Sequence, residues 1–469
     1  MPNSVFQKST PHLDAVLQSA DDVTAHGGAV LIDALARDFG LWQRIKAEPL
    51  LDHRTDTSRG FTPEVIVSQI IISLCTGGIN IADAGRLASD SALGKLIGLP
   101  RMAEDATLGL WLNRQTPEGC LALWKIIREL TAWLMAMAAP ARLLHQGKLD
   151  VFFDDTQIEV SGHYFENTAM NYEGDTSYSW QTVWTGPFIA AAKLDKGSVD
   201  PSAHLGSLLD GSKALWSPYA EKGQAHFYAD SGSSAGKHLN KIDNRGWEWS
   251  VSYNKWTGIL DKLAAATPEE KWSPPVNAVG RKGEAIKEQH TWLRHQPGED
   301  CERGHDFACV RHRAADGGDL FWRYAYIVCG QSGGAPAPVH LPEEARKVFP
   351  AHHYKGALEH GFSNLLGDMD LHHPPCLKFT ANEMWYALGA LAHNLLRGIQ
   401  LLRMEDDQQG LRIRQIIRWW MTVPVKVSRH AHRTSARFFV PAARKTWWKV
   451  ALDKVWPKRA RGRPVVVGV

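Results

Sequence analysis

No uninterrupted apolar run in this chain approaches the roughly 18 residues that a membrane-spanning helix requires. The N-terminus, MPNSVFQKSTPHLD, lacks the basic-then-apolar order of a secretion signal. Membrane and secreted classes are therefore set aside, and a soluble cytoplasmic protein is expected. Cysteine is sparse: six residues, at 75, 120, 301, 309, 329 and 376, follow no disulfide-framework spacing, which argues for reduced thiols. The stretch CERGHDFACVRH gathers Cys301, His305, Cys309 and His312, but its spacing matches no common zinc finger, and strand alternation separates Cys309 from His312. No internal repeat is present. What remains is ordinary globular composition, 44% apolar and 22% charged over 469 residues, enough for two or three domains with real cores.

The formal net charge of +3 conceals an asymmetry. From Gly410 to the end there are 15 Lys/Arg against the single acid Asp453, so this segment carries +14 and the remainder −11. A basic segment of that density suits phosphate. Its interleaved tryptophan and phenylalanine, as in RWWMTVPVKVSRHAHRTSARFFVPAARKTWWKV, add candidate stacking surfaces. A solvated tail is the plain alternative.

Hydrophobic periodicity divides the chain. Residues 1–145 read as helical: TPEVIVSQIIISLCTGG has Thr62 as N-cap, Pro63 at the first helical position and a Gly77-Gly78 stop, and several brief helices follow. They fit a helix-turn-helix-like module or a bundle that binds nothing. Residues 146–255 carry β-branched and aromatic runs, among them KLDVFFDDTQIEVSG, YSWQTVWTGPFIAAAKL, QAHFYADSG and WEWSVSYNKW. A Pro-rich connection and further strands follow over 256–345, helices return over 346–409, and the basic aromatic segment fills 410–469. The order predicts an α/β core interrupted by a β-rich subdomain.

In LDVFFDDTQIEVSG, Asp150, Asp154 and Asp155 sit in an apolar run, where an unpaired carboxylate is costly. Alternation places Asp154 with Asp150 and Phe152, and Asp155 with Val151 and Phe153. A second apolar strand ends in Asp230, and Glu359 follows Lys355 by one helical turn. Acids at adjacent strand tips suit a shared divalent cation. Taken singly, each is more simply a cap or a solvated side chain; the ordered set of three is the signal.

FFDDTQIEVSG, AHFYADSG and YKGALEHGFSNLLGDMDLHHPP, the last running into FTANEMWYALGALAHNLLRGIQLL, together resemble the DDE transposases of bacterial insertion sequences. The nearest branch is the cut-and-paste group with a β insertion, insertion-sequence family thirteen-eighty. The resemblance implies an RNase H-like catalytic core with an inserted β-rich subdomain, a helical N-terminal domain that binds DNA ends and a basic C-terminal tail. It implies Asp155, which precedes a threonine, Asp230 and Glu359 as catalytic residues holding two Mg²⁺ ions, with Mn²⁺ as a substitute. DNA cleavage and strand transfer by a homodimer on double-stranded transposon ends and target follow from it. Lys355 falls where the family has an arginine, His352 where it has a tyrosine, and Leu366 where it often has a lysine. Arg412, Arg414, Arg418, Lys426, Arg429, Arg433, Arg437, Arg444 and Lys445 are the expected phosphate contacts of the basic segment. Trp272, Trp292 and Trp322 are candidates for stacking on a flipped base, with core packing as the alternative.

Three other readings compete. GSSAG at 232–236 matches a nucleophile elbow around Ser234. A glycoside hydrolase would use paired carboxylates and explain 19 tryptophans, but not the basic segment. A transposase-derived DNA binder without activity would keep the fold alone.

Overall fold

The computed structural model describes residues 21–99, 101–162, 164–243, 245–254, 257–280, 282–316, 318, 321–330, 341–356, 361–430 and 433–455. A short strand, β1 (Val23–Thr24), and helix α1 (Ala29–Phe39) open it. Helix α2 (Pro63–Cys75) starts and stops where the sequence predicts, with Thr62 extended at the N-cap position, although its hydroxyl makes no capping bond. Helix α3 (Pro117–Met137) is capped by Thr116, whose side chain accepts from Gly119 N.

The strands that follow build one mixed sheet. β2 (Leu149–Glu159) pairs antiparallel with β4 (Thr176–Thr185), and β4 pairs with β5 (Phe188–Lys196) and with the brief β3 (Ala169–Met170). The run YSWQTVWTGPFIAAAKL is thus a hairpin, not one strand. Gly186 makes the turn at φ +54°, in the left-handed region that glycine enters without a Cβ penalty. On its other side β2 pairs parallel with β6 (Ala225–Ala229), which pairs parallel with β7 (Glu248–Tyr253). Parallel neighbours need crossovers. Helical segments Leu205–Gly211 and Lys213–Ala220 precede β6, and helix α4 (Gly236–Asp243) connects β6 to β7. From one edge the order is β5-β4-β2-β6-β7.

The strands expected over 256–345 continue this sheet. β8 (Val276–Val279), β9 (Ala285–His295), β10 (His305–Ala314) and β11 (Arg323–Gly330) form an antiparallel extension in which β11 hydrogen-bonds to β7. Helix α5 (Pro342–His353) packs on β9 and β10. Of the candidate stacking tryptophans, Trp272 is buried against the Arg311 guanidinium, which Trp322 covers from 4.4 Å. Those two rings serve internal packing.

Helix α6 (Phe379–Arg403) lies at the centre, packed on α1, α2, α3 and β5. The sequence predicts one apolar face, but 20 of its 25 residues are buried, which makes it a core helix wrapped on all sides. Asn394 ties it to the sheet, accepting from Ile189 N at 3.0 Å and donating to Ile189 O at 2.9 Å. Gly398 lets α6 approach closely: a Cβ there would meet Leu134 Cδ2 at 2.7 Å.

The described part of the basic segment is no free tail. β12 (Val425–His430) and β13 (Arg433–Phe438) form a hairpin that pairs with β1 at the opposite end of the chain. Helix α7 (Lys445–Val455) closes over α1 and α6. Trp420 and Trp448 are fully buried and stack at 5.4 Å. Their role is core packing, which removes these two rings from the expected stacking surface, whereas Phe439 is exposed.

Candidate active site

β2 and β6 position the acids. Their parallel register sets Phe152 beside Tyr228 and Phe153 beside Ala229, and the Phe152 and Tyr228 rings stack at 4.9 Å. Asp230 continues β6 in extended conformation, so alternation brings it level with Asp154 and onto the same face. Its Oδ1 accepts from Gly232 N at 2.9 Å and caps a short turn. Across the antiparallel pair Asp154 lies opposite Thr182, between Trp180 and Trp184 on that face of β4.

Lys355 is buried here and its charge favours the Asp154 carboxylate, whereas Asp230 opposes it. Burial is the larger influence and pushes Asp154 up to about 7. Glu359 lies outside the described residues. The chain on either side of it meets this same face: Lys355 precedes it, Gly361 follows against Trp184, and Phe362 packs edge-on against Trp180 and Trp184.

Asp155 turns the other way. Its Oδ1 accepts from Ser179 Oγ at 2.5 Å and its Oδ2 from Gln157 Nε2 at 3.1 Å. Burial raises it to about 6 against the pull of those two bonds, and the Asp230 charge adds to the rise. Both neighbouring aspartates thus feel Asp230, but only Asp154 shares its face with Lys355. The resemblance, through its Asp-Thr pair, points to Asp155; alternation together with the β2–β6 register puts Asp154 on the Asp230 face. Tyr172 is exposed, and the charges of Asp155 and Asp230 help raise its phenol above the ordinary range, after the larger effect of Glu173.

At the near end of β2, burial lifts Asp150 to about 7, partly offset by a hydrogen bond with Tyr228. His145 stacks on Tyr354 at 3.6 Å beside it. A cavity of about 840 Å³, lined by His145, Asp150, Tyr354 and Arg397 among others, opens there. His352, at the position of the family tyrosine, is held between Ser250 Oγ at 2.9 Å and Ser252 Oγ at 2.8 Å; burial pushes it down to about 3, so it is neutral. Leu366 packs against the core. Ser234 spends its hydroxyl on Ser231 O at 2.7 Å, which removes the nucleophile-elbow reading.

The expected phosphate contacts divide. Arg412 and Arg414 both bind the buried Asp368 carboxylate, and Lys426 pairs with Asp22 at 3.2 Å. Arg444 lies over the Trp419 ring at 4.7 Å. Arg418, Arg437 and Lys445 are exposed. Arg429 and Arg433 lie on β12 and β13.

An acid midway along β2 and another just past the end of β6, beside a buried cation and on a mixed sheet, define a carboxylate-centred site. The chain belongs to the transposase DDE domain group 1 family, whose model matches residues 15–456. A search of curated proteins finds no match. Among the described residues no helix is long and apolar enough to cross a membrane.

Proposed function

We propose that the protein cuts and rejoins DNA at the ends of its own insertion sequence, by a cut-and-paste route, with Asp154, Asp230 and Glu359 holding divalent cations. The observation that carries this reading is the level placement of Asp154 and Asp230 on the face that Lys355 and Phe362 cover. Asp155, the acid indicated by the sequence resemblance, supports the site from the opposite face through Ser179 and Gln157.

The donor set fits Mg²⁺, with Mn²⁺ as a substitute: hard oxygen ligands, of which Asp154 and Asp230 repel one another beside the single charge of Lys355, suit a hard divalent ion. When bound, two such ions supply an activated water and charge neutralisation at the scissile phosphate. The chain's own residues hold the acids at fixed spacing, keep one wall of the site dry with Trp180, Trp184 and Phe362, and place Lys355 to balance negative charge. The strand order, three antiparallel strands followed by two parallel, supports an RNase H-like core. The antiparallel extension between the Asp230 and Glu359 segments supports the branch with a β insertion. Two ends cut in concert call for a homodimer assembled on DNA.

The test is cleavage of a labelled element end with Mg²⁺. Asp154→Asn, Asp230→Asn and Glu359→Gln each reduce cleavage to background while DNA binding persists, and Asp155→Asn leaves a measurable rate. Full activity of Asp230→Asn removes the mechanism. A dead Asp155→Asn beside an active Asp154→Asn returns the metal-holding role to Asp155.

A further inference from the structure

Beyond the β2–β6 acids, one cluster among the described residues brings three metal-ligating side chains within reach of a common ion: Asp370, His372 and His373, with ligand atoms all within 4.8 Å of one another. The backbone fixes it. Met369 and Leu371 are buried, and Leu371 packs into the groove left by Gly389 of α6, where a Cβ would meet Leu371 Cδ1 at 2.5 Å. With residues 369 and 371 anchored inward, Asp370 and His372 are presented outward on either side of Leu371. Asp370 holds φ +56°, and Met369 N and Leu371 N bond back to Asn364 O and Leu365 O, so the turn is a defined one.

The imidazoles are oriented as ligands. His372 Nδ1 lies 2.5 Å from Leu366 O, to which it donates its proton, and this turns Nε2 toward the cluster. That Nε2 lies 2.9 Å from Asp370 Oδ1, and the His373 ring centroid lies 4.4 Å from that of His372. An ion pair with Asp370 alone would need His372 charged and would leave His373 without a part in the cluster. A metal ion uses both rings neutral and the carboxylate ionised. Two imidazoles and one carboxylate favour the borderline transition metals over Mg²⁺, which prefers all-oxygen sets.

We propose that Asp370, His372 and His373 form a second, separate metal site, taking a Zn²⁺-class divalent ion with solvent in its remaining positions. It serves as a clamp. The three ligands lie on the connection between the Ser363–Asp368 turn, which follows the Glu359 segment, and α6, so an ion there stiffens the strap that leads from the catalytic segment into the core. This inference does not depend on the DNA-cutting reading.

Calorimetric titration of the full chain with ZnCl₂, in buffer already holding millimolar Mg²⁺ to fill the carboxylate site, tests it. The expected result is one Zn²⁺ per chain and a rise in melting temperature on binding. Both are lost in His372→Ala and in His373→Ala and are retained in the Asp154→Asn/Asp230→Asn double variant. Because these histidines lie at the surface, circular dichroism of the variants should match the parent. Absence of stoichiometric Zn²⁺ binding, or binding that survives the His372→Ala/His373→Ala double substitution, overturns the proposal.

Discussion

Two adjacent aspartates on one strand meet different fates because a strand has two faces. Asp154 and Asp155 are both raised well above the ordinary carboxylate range, to about 7 and about 6, chiefly by burial. The sign of the consequence is fixed: a carboxyl whose folded pKa exceeds its unfolded value near 4 opposes folding once ionised. The metal-free protein should therefore be most stable below about pH 4 with respect to these groups and should lose that contribution as pH rises toward 7. For Asp154 the loss is on the order of 4 kcal/mol. Melting curves at pH 5 and pH 8, with and without Mg²⁺, check this: Mg²⁺ should raise the melting temperature far more at pH 8. Asp154→Asn should stabilise the metal-free protein at pH 8 and abolish the Mg²⁺ response; a Mg²⁺ response unchanged in that variant would contradict the assignment. At this scale the acids themselves were legible, since carboxylates in an apolar run demand compensation. Which neighbour shares a face with Asp230 was not. It rests on the register of β2 against β6, a pairing set by residues about 75 apart in sequence.

Elements were legible where their signals are local. The N-terminal stop and start marks of α2, the strand runs of β6, β7, β9, β10 and β11, and the length of α6 all follow from periodicity and turn residues. Failures occurred where local and tertiary signals disagree. The Gly186-Pro187 turn was read through because apolar residues continue on both sides, and the segments at 205–220 were missed because Gly, Ser and Pro interrupt them. The all-round burial of α6 exceeds what its pattern announces, because polar residues such as Asn382, Asn394 and Gln400 are bonded inside the core. Asn394 is the strongest case: it holds both backbone groups of Ile189 and donates to Thr131 Oγ1 at 3.1 Å, joining α6 to α3 and β5. Asn394→Ala leaves a buried N–H and C=O unpaired, and should cost about 2–4 kcal/mol. Urea unfolding of the variant measures it, and a loss below about 1 kcal/mol would mean that water replaces the amide.

For the whole molecule, the charge asymmetry was visible and its architecture was not. Composition marks residues 410–469 as a basic aromatic segment, yet its described portion supplies two strands, a helix and two buried tryptophans to the body of the protein. Pairing between β1 and β12 carries no signature in either short strand alone. Cutting the chain near residue 410 would therefore open the core and confuse lost folding with lost DNA contact. Single substitutions at the exposed Arg418, Arg437 and Lys445 test DNA binding without that cost. Each phosphate contact removed should make the slope of log affinity against log salt shallower by about 0.9, and the triple variant should fold as the parent does. An unchanged slope would move the DNA surface elsewhere.

The strand partners of Val23 and Thr24 are Lys426 and Val425. β1 must therefore wait for β12 to be synthesised before its backbone groups are paired. A copy that stops before β12 lacks that seal, exposes the surfaces that Trp420 and Trp448 cover, and lies open to proteolysis.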